Sequence, residues 1–421
     1  MNERSPSVLL IGAYERENFG DLLFLLRTRA YLGDSETTAS APFSGEMLEL
    51  LGERIPAYSE ALAERPHDAV WVVGGEVGGT TVSDAYRMSA TDEEWTQYQQ
   101  SPQKERWARL EQVSGMRVAA SPYLPRMSAF PQTYGSALVV NSVGLSGMRR
   151  LLGDRRDETL GAVREAAFVS VRDRQSSDLL RQLSITHTLA PDLVHTLTID
   201  EPGIADKQSD LALVQVKGNV LSRYGAAELA RVLATSRNLA DYRIRLFSAG
   251  SARGHDSFEL YQDVVDEFRK MAPGRQIDIS TQMRPMDKAA EIASAGLWLG
   301  TSLHGLIIST AYDVPRVALE LDKLVRYAET WEETMPFGVA LDDIDAAVDS
   351  ALAASEASVK SKRSLDLAQQ AQSSIREAVS AAASGLSQAD LSARRERIAR
   401  RVDRRRKSPV NALVRAVRPG I

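Results

Sequence analysis

Twice along this chain, short apolar runs alternate with longer segments of helical periodicity, and a polar stretch at residues 200–210, containing Pro202 and Gly203, separates the two series. The first series has strand-like runs at 8–11, 69–73, 118–120, 138–140 and 168–172, with helical segments at 21–31 and 174–182. An apolar element at 189–193 is broken by Pro191 and Asp192. The second series has strand-like runs at 211–215, 244–247, 297–300 and 316–319, with helical segments at 226–236, 257–271, 286–295 and 306–312 between them. Parallel strands cannot be joined by a tight turn, so strict alternation of this kind calls for a parallel sheet covered by crossover helices. With 421 residues the chain exceeds what one compact core organises. The expected fold is therefore α/β, with two Rossmann-like domains enclosing a cleft. Expected boundaries are residues 1–199, a linker at 200–210, residues 211–345, and a helical basic tail at 346–421. Residues 81–117, rich in Glu, Gln, Trp and Tyr, show no strand and read as helical decoration or a mobile loop.

Composition narrows the chemistry by exclusion. The absence of cysteine removes disulfides, thiolate zinc sites and cysteine nucleophiles, and agrees with a reducing compartment. The five histidines, at 67, 187, 195, 255 and 304, show no paired ligand spacing, so no metal site is expected. Neither G-x-G-x-x-G nor G-x-x-x-x-G-K-[ST] nor G-x-S-x-G is present, which argues against dinucleotide binding, nucleotide triphosphate hydrolysis and acyl hydrolysis. The first apolar run is too short for a secretory signal, and no stretch reaches the roughly 18–20 apolar residues of a membrane span. A cytoplasmic location is the expectation.

Charge is uneven. Residues 394–418 hold 11 of the 51 Lys and Arg but only Glu396 and Asp403 of the 56 acidic residues, leaving the remainder at −14. An acidic body argues against nucleic acid as a partner. The tail has two readings: a packing helix with a solvated end, or a helix with Ile398, Val402, Leu413 and Val414 as an apolar stripe that touches an anionic membrane peripherally.

Four strand ends carry polar groups suited to a ligand. Gly300-Thr301-Ser302-Leu303-His304-Gly305 follows one apolar run and opens a helix, where backbone N–H groups and hydroxyls hold anions and where His304 sits in the first turn. Gly74 and Gly75 follow the run at 69–73, either as a tight turn or to admit a ligand. Asn18, Gly20 and Asp21 form a turn before a helix, with Asp21 as an N-cap or as a carboxylate that positions a hydroxyl. Arg172 and Asp173 end another run, and an arginine there would clamp a carboxylate if it faced the cleft. Arg284 and Lys323 are further cationic candidates for the same cleft, and His255-Asp256 is the one suggestive histidine–acid pair.

Taken in order, the Asn-x-Gly-Asp opening, the V-V-G-G strand end, V-R-D followed by a helix and A-P-D, and T-S-L-H-G followed by a helix and a V-P turn resemble the polysaccharide pyruvyl transferases over residues 8–330. The resemblance implies a glycosyltransferase-B-like arrangement, with the acceptor sugar on the first domain and phosphoenolpyruvate as donor on the second, and no further cofactor. It implies that His304 donates a proton to the donor's methylene carbon. Arg172 would bind the donor's anionic groups, with Thr301, Ser302, Leu303 and Lys323 around it. The acceptor would be a sugar of a cell-surface glycan or a lipid-linked oligosaccharide precursor, handled at the inner face of the membrane. Two departures stand out: many relatives have Arg where this chain has Ser302, so that Arg284 or Lys217 must substitute, and Leu22 stands where an acidic residue is common. Two other readings fit the same architecture: a nucleotide-sugar glycosyltransferase, and a non-catalytic glycan-binding or scaffolding relative.

Overall fold

The computed structural model describes residues 5–253, 255–357 and 362–407. Two parallel six-stranded sheets form its frame. In the first half, β1 (Ser7–Ile11), β2 (Glu36–Ser40), a small antiparallel hairpin of β3 (Gly45–Met47) and β4 (Glu53–Ile55), β5 (Ala69–Val73), β6 (Ala137–Val143), β7 (Phe168–Val171) and β8 (Thr188–Leu189) follow in sequence. The sheet order is β2-β1-β5-β6-β7-β8. The second half supplies β9 (Gln208–Gln215), β10 (Arg243–Leu246), β11 (Ile277–Ile279), β12 (Ala295–Gly300), β13 (Arg316–Leu319) and β14 (Phe337–Val339), in the order β11-β10-β9-β12-β13-β14.

Each sheet starts in its middle, grows to one side, and then returns to grow on the other. That reversal leaves a crevice at the carboxyl ends of the two central strands, where the next helices diverge to opposite faces. It falls between β1 and β5 in the first sheet and between β9 and β12 in the second. Central strands buried on both faces explain the unbroken apolar runs: every residue of β1, β5 and β6 is buried.

The sheets are not independent. One buried cluster includes Leu10, Phe19, Phe24 and Trp71 of the first half together with Leu213, Trp298 and Ile307 of the second, and Ile375 and Ala378 of the helix Lys362–Ser384 complete it. The next helix, Gln388–Lys407, lies on the first half, where Arg394 is 1% exposed and donates to the carbonyls of Tyr134, Ser136 and Glu165. Arg401 pairs with Glu158 and Arg397 with Glu165. Three tail arginines are therefore bound to the protein's own surface. Of the apolar stripe read for a membrane face, the Val402 side chain, Leu413 and Val414 lie outside the described residues. No helix among the described residues is long and apolar enough to cross a membrane.

Some local expectations are corrected. Residues 118–120 form no strand, because Ala120 N–H closes a turn onto the Arg117 carbonyl. For residues 81–117 the helical alternative holds: three helices, Val82–Ser89, Asp92–Gln100 and Gln103–Ser114, the first two started by reciprocal capping boxes at Thr81/Asp84 and Thr91/Glu94. The strands β2, β11 and β14 had no sequence expectation.

Candidate active site

The two crevices face each other across a cavity of about 230 Å³. Its floor on the second half is built by β12 and the helix Leu303–Ala311. Gly300 ends β12, and Ser302 caps the helix by accepting the Gly305 N–H at 3.2 Å. Gly305 has no room for a side chain because a β-carbon would press on the Trp298 indole, so the first turn seats directly on the sheet. Thr301 is fixed through Gln215, whose Oε1 accepts from Thr301 N–H at 3.1 Å and Oγ1 at 3.0 Å. The other side-chain end of Gln215 donates to Asp256 at 2.7 Å.

His304 follows in the first helical turn and is 8% exposed. Phe24 packs edge-on against its ring at 5.0 Å and Phe19 at 6.2 Å, while Gly20 lies so close that any β-carbon there would overlap the imidazole. Its Nε2 stands 4.0 Å from Asp192 Oδ2 and has no hydrogen-bond partner among the described residues. Burial first, and then the Arg172 and Lys323 cations, hold the imidazole well below the usual histidine range, which favours its neutral form.

Arg172 enters from the end of β7. Its Nη1 donates to buried Asp192 at 2.8 Å, its guanidinium lies 5.8 Å from the Phe24 ring centre, and its carbonyl accepts from Trp331 Nε1 at 2.7 Å. Asp192 thus fixes the arginine and approaches His304 as well. On the same half, Asn18 rather than Asp21 caps the helix Phe19–Leu32, accepting the Gly20 N–H at 3.2 Å. This corrects the capping role read for Asp21, which lies in the first turn and lines the cavity. Gly74 and Gly75 have φ of 67° and 78°, a backbone that L side chains rarely adopt, and a β-carbon on Gly74 would collide with Phe24.

Of the residues singled out from sequence, Asn18, Asp21, Gly74, Gly75, Arg172, Thr301, Ser302, Leu303, His304 and Lys323 line this one cavity. Gly20 acts from behind, against His304. Arg284 does not line the cavity: it is exposed at the start of the helix Pro285–Ser294. The lining also contains Arg16, Glu76, Tyr123, Gln215, Lys217, His255 and Asp256. Arg16 is buried against Glu15 at 2.6 Å and the Tyr123 hydroxyl at 2.9 Å. Its only sequence signal was a charge close to the Asn18 turn.

Each half brings both signs of charge to the cavity: Arg16, Asp21, Glu76 and Arg172 from the first, Lys217, Asp256 and Lys323 from the second. Burial lowers both lysines, Lys323 to about 8 with help from Lys217 and Arg172. Burial likewise raises Asp21 and Glu76, opposed by Arg16 and Arg172 at Asp21 and by the Gly147 N–H and Arg172 at Glu76. Asp256 is pushed up to about 7 by burial, against hydrogen bonds from Ala249 N–H and Gln215. No group of three or more His, Cys, Asp or Glu among the described residues forms a metal cage.

Two six-stranded parallel sheets with opposed crevices around one cavity define a glycosyltransferase-B-like, two-Rossmann α/β protein. Residues 138–323 match the family model described as polysaccharide pyruvyl transferase, which bears out the resemblance over that span, where the V-R-D, A-P-D and T-S-L-H-G motifs lie. The matched span contains Arg172, Asp192, Lys217, His304 and Lys323. No curated protein matches the chain. Among solved structures, a UDP-glucosyltransferase from Polygonum tinctorium is 12% identical with a TM-score of 0.48, covering 91% of this chain and 99% of that one. A UDP-GlcNAc 2-epimerase from Methanocaldococcus jannaschii is 11% identical with a TM-score of 0.47, covering 86% and 94%.

Proposed function

We propose that this protein transfers the pyruvyl group of phosphoenolpyruvate to a sugar and closes a cyclic ketal. The observation that carries the reading is a buried histidine held neutral beside Arg172 and Lys323, inside a region matching the pyruvyl transferase family. A cavity that keeps cations around a neutral imidazole is prepared for an anion whose charge would cancel theirs. Binding phosphoenolpyruvate would therefore raise the His304 pKa and let the ring take up a proton where one is needed.

His304 would then give that proton to the methylene carbon, the alkene electrons forming the new C–H bond and leaving an oxocarbenium centre at the adjacent carbon. An acceptor hydroxyl attacks this carbon and loses its proton to Asp21 or Glu76, both raised by burial toward the range of a useful base. The C–O bond to phosphate breaks with its electron pair leaving on the phosphate oxygen, a second hydroxyl attacks the re-formed oxocarbenium carbon and gives its proton to the departing phosphate, and the products are the ketal and inorganic phosphate. Arg172, held by Asp192, and the helix start at Thr301 and Ser302 would carry the donor's negative charge. Phosphoenolpyruvate is an intracellular metabolite, so we place the reaction in the cytoplasm, on a cell-envelope glycan or its lipid-linked precursor at the inner membrane face.

Thermal unfolding tests the donor without knowledge of the acceptor, because a ligand that binds only the folded state raises the midpoint. Millimolar phosphoenolpyruvate is expected to raise it for the native protein and for His304→Gln, and to fail for Arg172→Ala. With an acceptor pool in D₂O, one deuterium is expected in the product methyl group. A midpoint that responds to UDP-sugars and not to phosphoenolpyruvate would replace this reading with nucleotide-sugar transfer, and silence to both would favour a non-catalytic role.

A further inference from the structure

We propose that Lys217 is a donor-binding residue of this site, and that with Lys323 it seats a single phosphate group across the strand ends of the second sheet. Strand order puts β9 and β13 on either side of β12. In the β9–β12 pairing Gln215 is opposite Gly300, so two residues further along Lys217 stands level with Ser302, the cap of the His304 helix. The Lys217 N–H fixes that level by donating to Thr301 Oγ1 at 2.8 Å. Lys323 follows β13 on the opposite flank. Ser302 brings no charge of its own, and the two lysines that follow the flanking strands line the same cavity as the helix start.

Both lysines line the cavity and neither has an ion pair among the described residues. Each is instead lowered by burial, and Lys217 is the largest charge acting against Lys323. The carboxylate that favours both, Asp256, already accepts from Ala249 N–H at 2.6 Å and Gln215 at 2.7 Å. Two like charges desolvated side by side without a counter-ion cost folding energy, and a phosphate dianion offsets that cost by meeting both at once. Lys217 lies two residues beyond β9 and 106 before Lys323, so no local motif joins the two. The inference rests on the reading above only for the identity of the molecule that bears the phosphate.

The test is calorimetric titration of inorganic phosphate, phosphoenolpyruvate and UDP into the native protein, Lys217→Met and Lys217→Arg, with melting curves of each in the absence of ligand. Native protein is expected to bind phosphate and phosphoenolpyruvate, Lys217→Met to lose at least about tenfold in affinity for both, and Lys217→Arg to stay within a few-fold. The unliganded midpoint of Lys217→Met is expected to equal or exceed the native one, since an uncompensated buried charge is removed while the aliphatic stem is kept. A lower midpoint together with unchanged affinity would mean that Lys217 serves the fold, and overturns the proposal. Equal affinities of Lys217→Met and native protein for phosphate and phosphoenolpyruvate also overturn it, leaving the pyruvyl-transfer reading intact. Binding of phosphate and UDP but not phosphoenolpyruvate, lost in Lys217→Met, would keep the phosphate seat and remove the pyruvyl donor. Native protein that binds none of the three overturns both.

Discussion

Gly20 and His304 come from opposite halves of the molecule and share one space: the missing side chain of the glycine is what admits the imidazole. The contact joins the first turns of two helices, Phe19–Leu32 and Leu303–Ala311. Gly20→Ala is therefore expected to push His304 out of its place and lower turnover by at least about 100-fold, in the range of losing a positioned acid. Because the atoms nearest a β-carbon at Gly20 all belong to the His304 ring, donor affinity should fall much less. Steady-state kinetics on the variant check this: a loss confined to KM would refute the positioning role.

Phe24 makes a second connection of the same kind. Its ring lies against Gly74, His304 and Arg172 together, so it positions the acid and the clamp at once. Phe24→Leu removes part of that surface in a fully buried place and is expected to destabilise by about 1–3 kcal/mol. The discriminating readout is the histidine titration. A looser pocket admits water around the imidazole, so the His304 pKa should rise toward its ordinary value in NMR spectra of the variant. A purely structural role would lower the melting midpoint and leave that titration unmoved.

Much of this site could be read in advance because its chemistry sits at strand ends marked by glycine. Gly74-Gly75 and Gly300 through Gly305 show themselves by composition after an apolar run, and Arg172 by its place at the end of another. Gln215 gives no such mark, and Lys217 and Asp256, though noted in the sequence, carry no strand-end signal that places them. They reach the cavity because β9 pairs with β12 across some 80 residues of sequence, and register between distant strands is not a local property. Arg284 misled for the converse reason: proximity to Pro285 in a loop said nothing about which side of the sheet it faces. For residues 81–117 the sequence left helical decoration and a mobile loop both open, although two capping boxes are local signals that favour helices: Thr-x-x-Asp at Thr81 and Thr-x-x-Glu at Thr91.

The ionisation of the groups lining the cavity gives donor binding a definite pH dependence. Asp256, at about 7, is neutral below that pH and becomes a competing anion above it, while Lys323, at about 8, loses its charge as pH rises further. Both changes act against an anionic donor, so affinity for phosphoenolpyruvate is expected to decline steadily from pH 7 to pH 9 in calorimetric titrations. The consequences for unliganded stability have opposite signs. Asp256 holds a proton in the folded state between its ordinary value of 3.8 and about 7, so its contribution is full at low pH and is lost as pH rises through that window. Lys323 is depressed from 10.5, so its contribution is present above 10.5 and lost as pH falls toward about 8. Urea unfolding of Asp256→Asn and Lys323→Met should each flatten the corresponding window. A native profile unchanged by either substitution would contradict the assignment.

The tail arginines separate into two groups with different expected roles. Arg394 is buried and donates to three main-chain carbonyls, so Arg394→Met is expected to cost about 2–4 kcal/mol of stability while leaving donor affinity unchanged. Arg395 and Arg400 are exposed on the same helix, Arg395 over the Tyr134 ring and Arg400 beside Glu396. Their charge is available to an anionic surface in a way that Arg394 is not. If the tail assists contact with a lipid-borne acceptor, Arg395→Glu with Arg400→Glu should weaken binding to anionic vesicles, and the difference should vanish at high salt as screening removes the attraction. Deleting everything after Ser392 would be a poor substitute, because it also removes Arg394 and so changes the fold that holds the helix. Vesicle binding by the doubly substituted protein equal to the native level at low salt would assign these arginines to solvation alone.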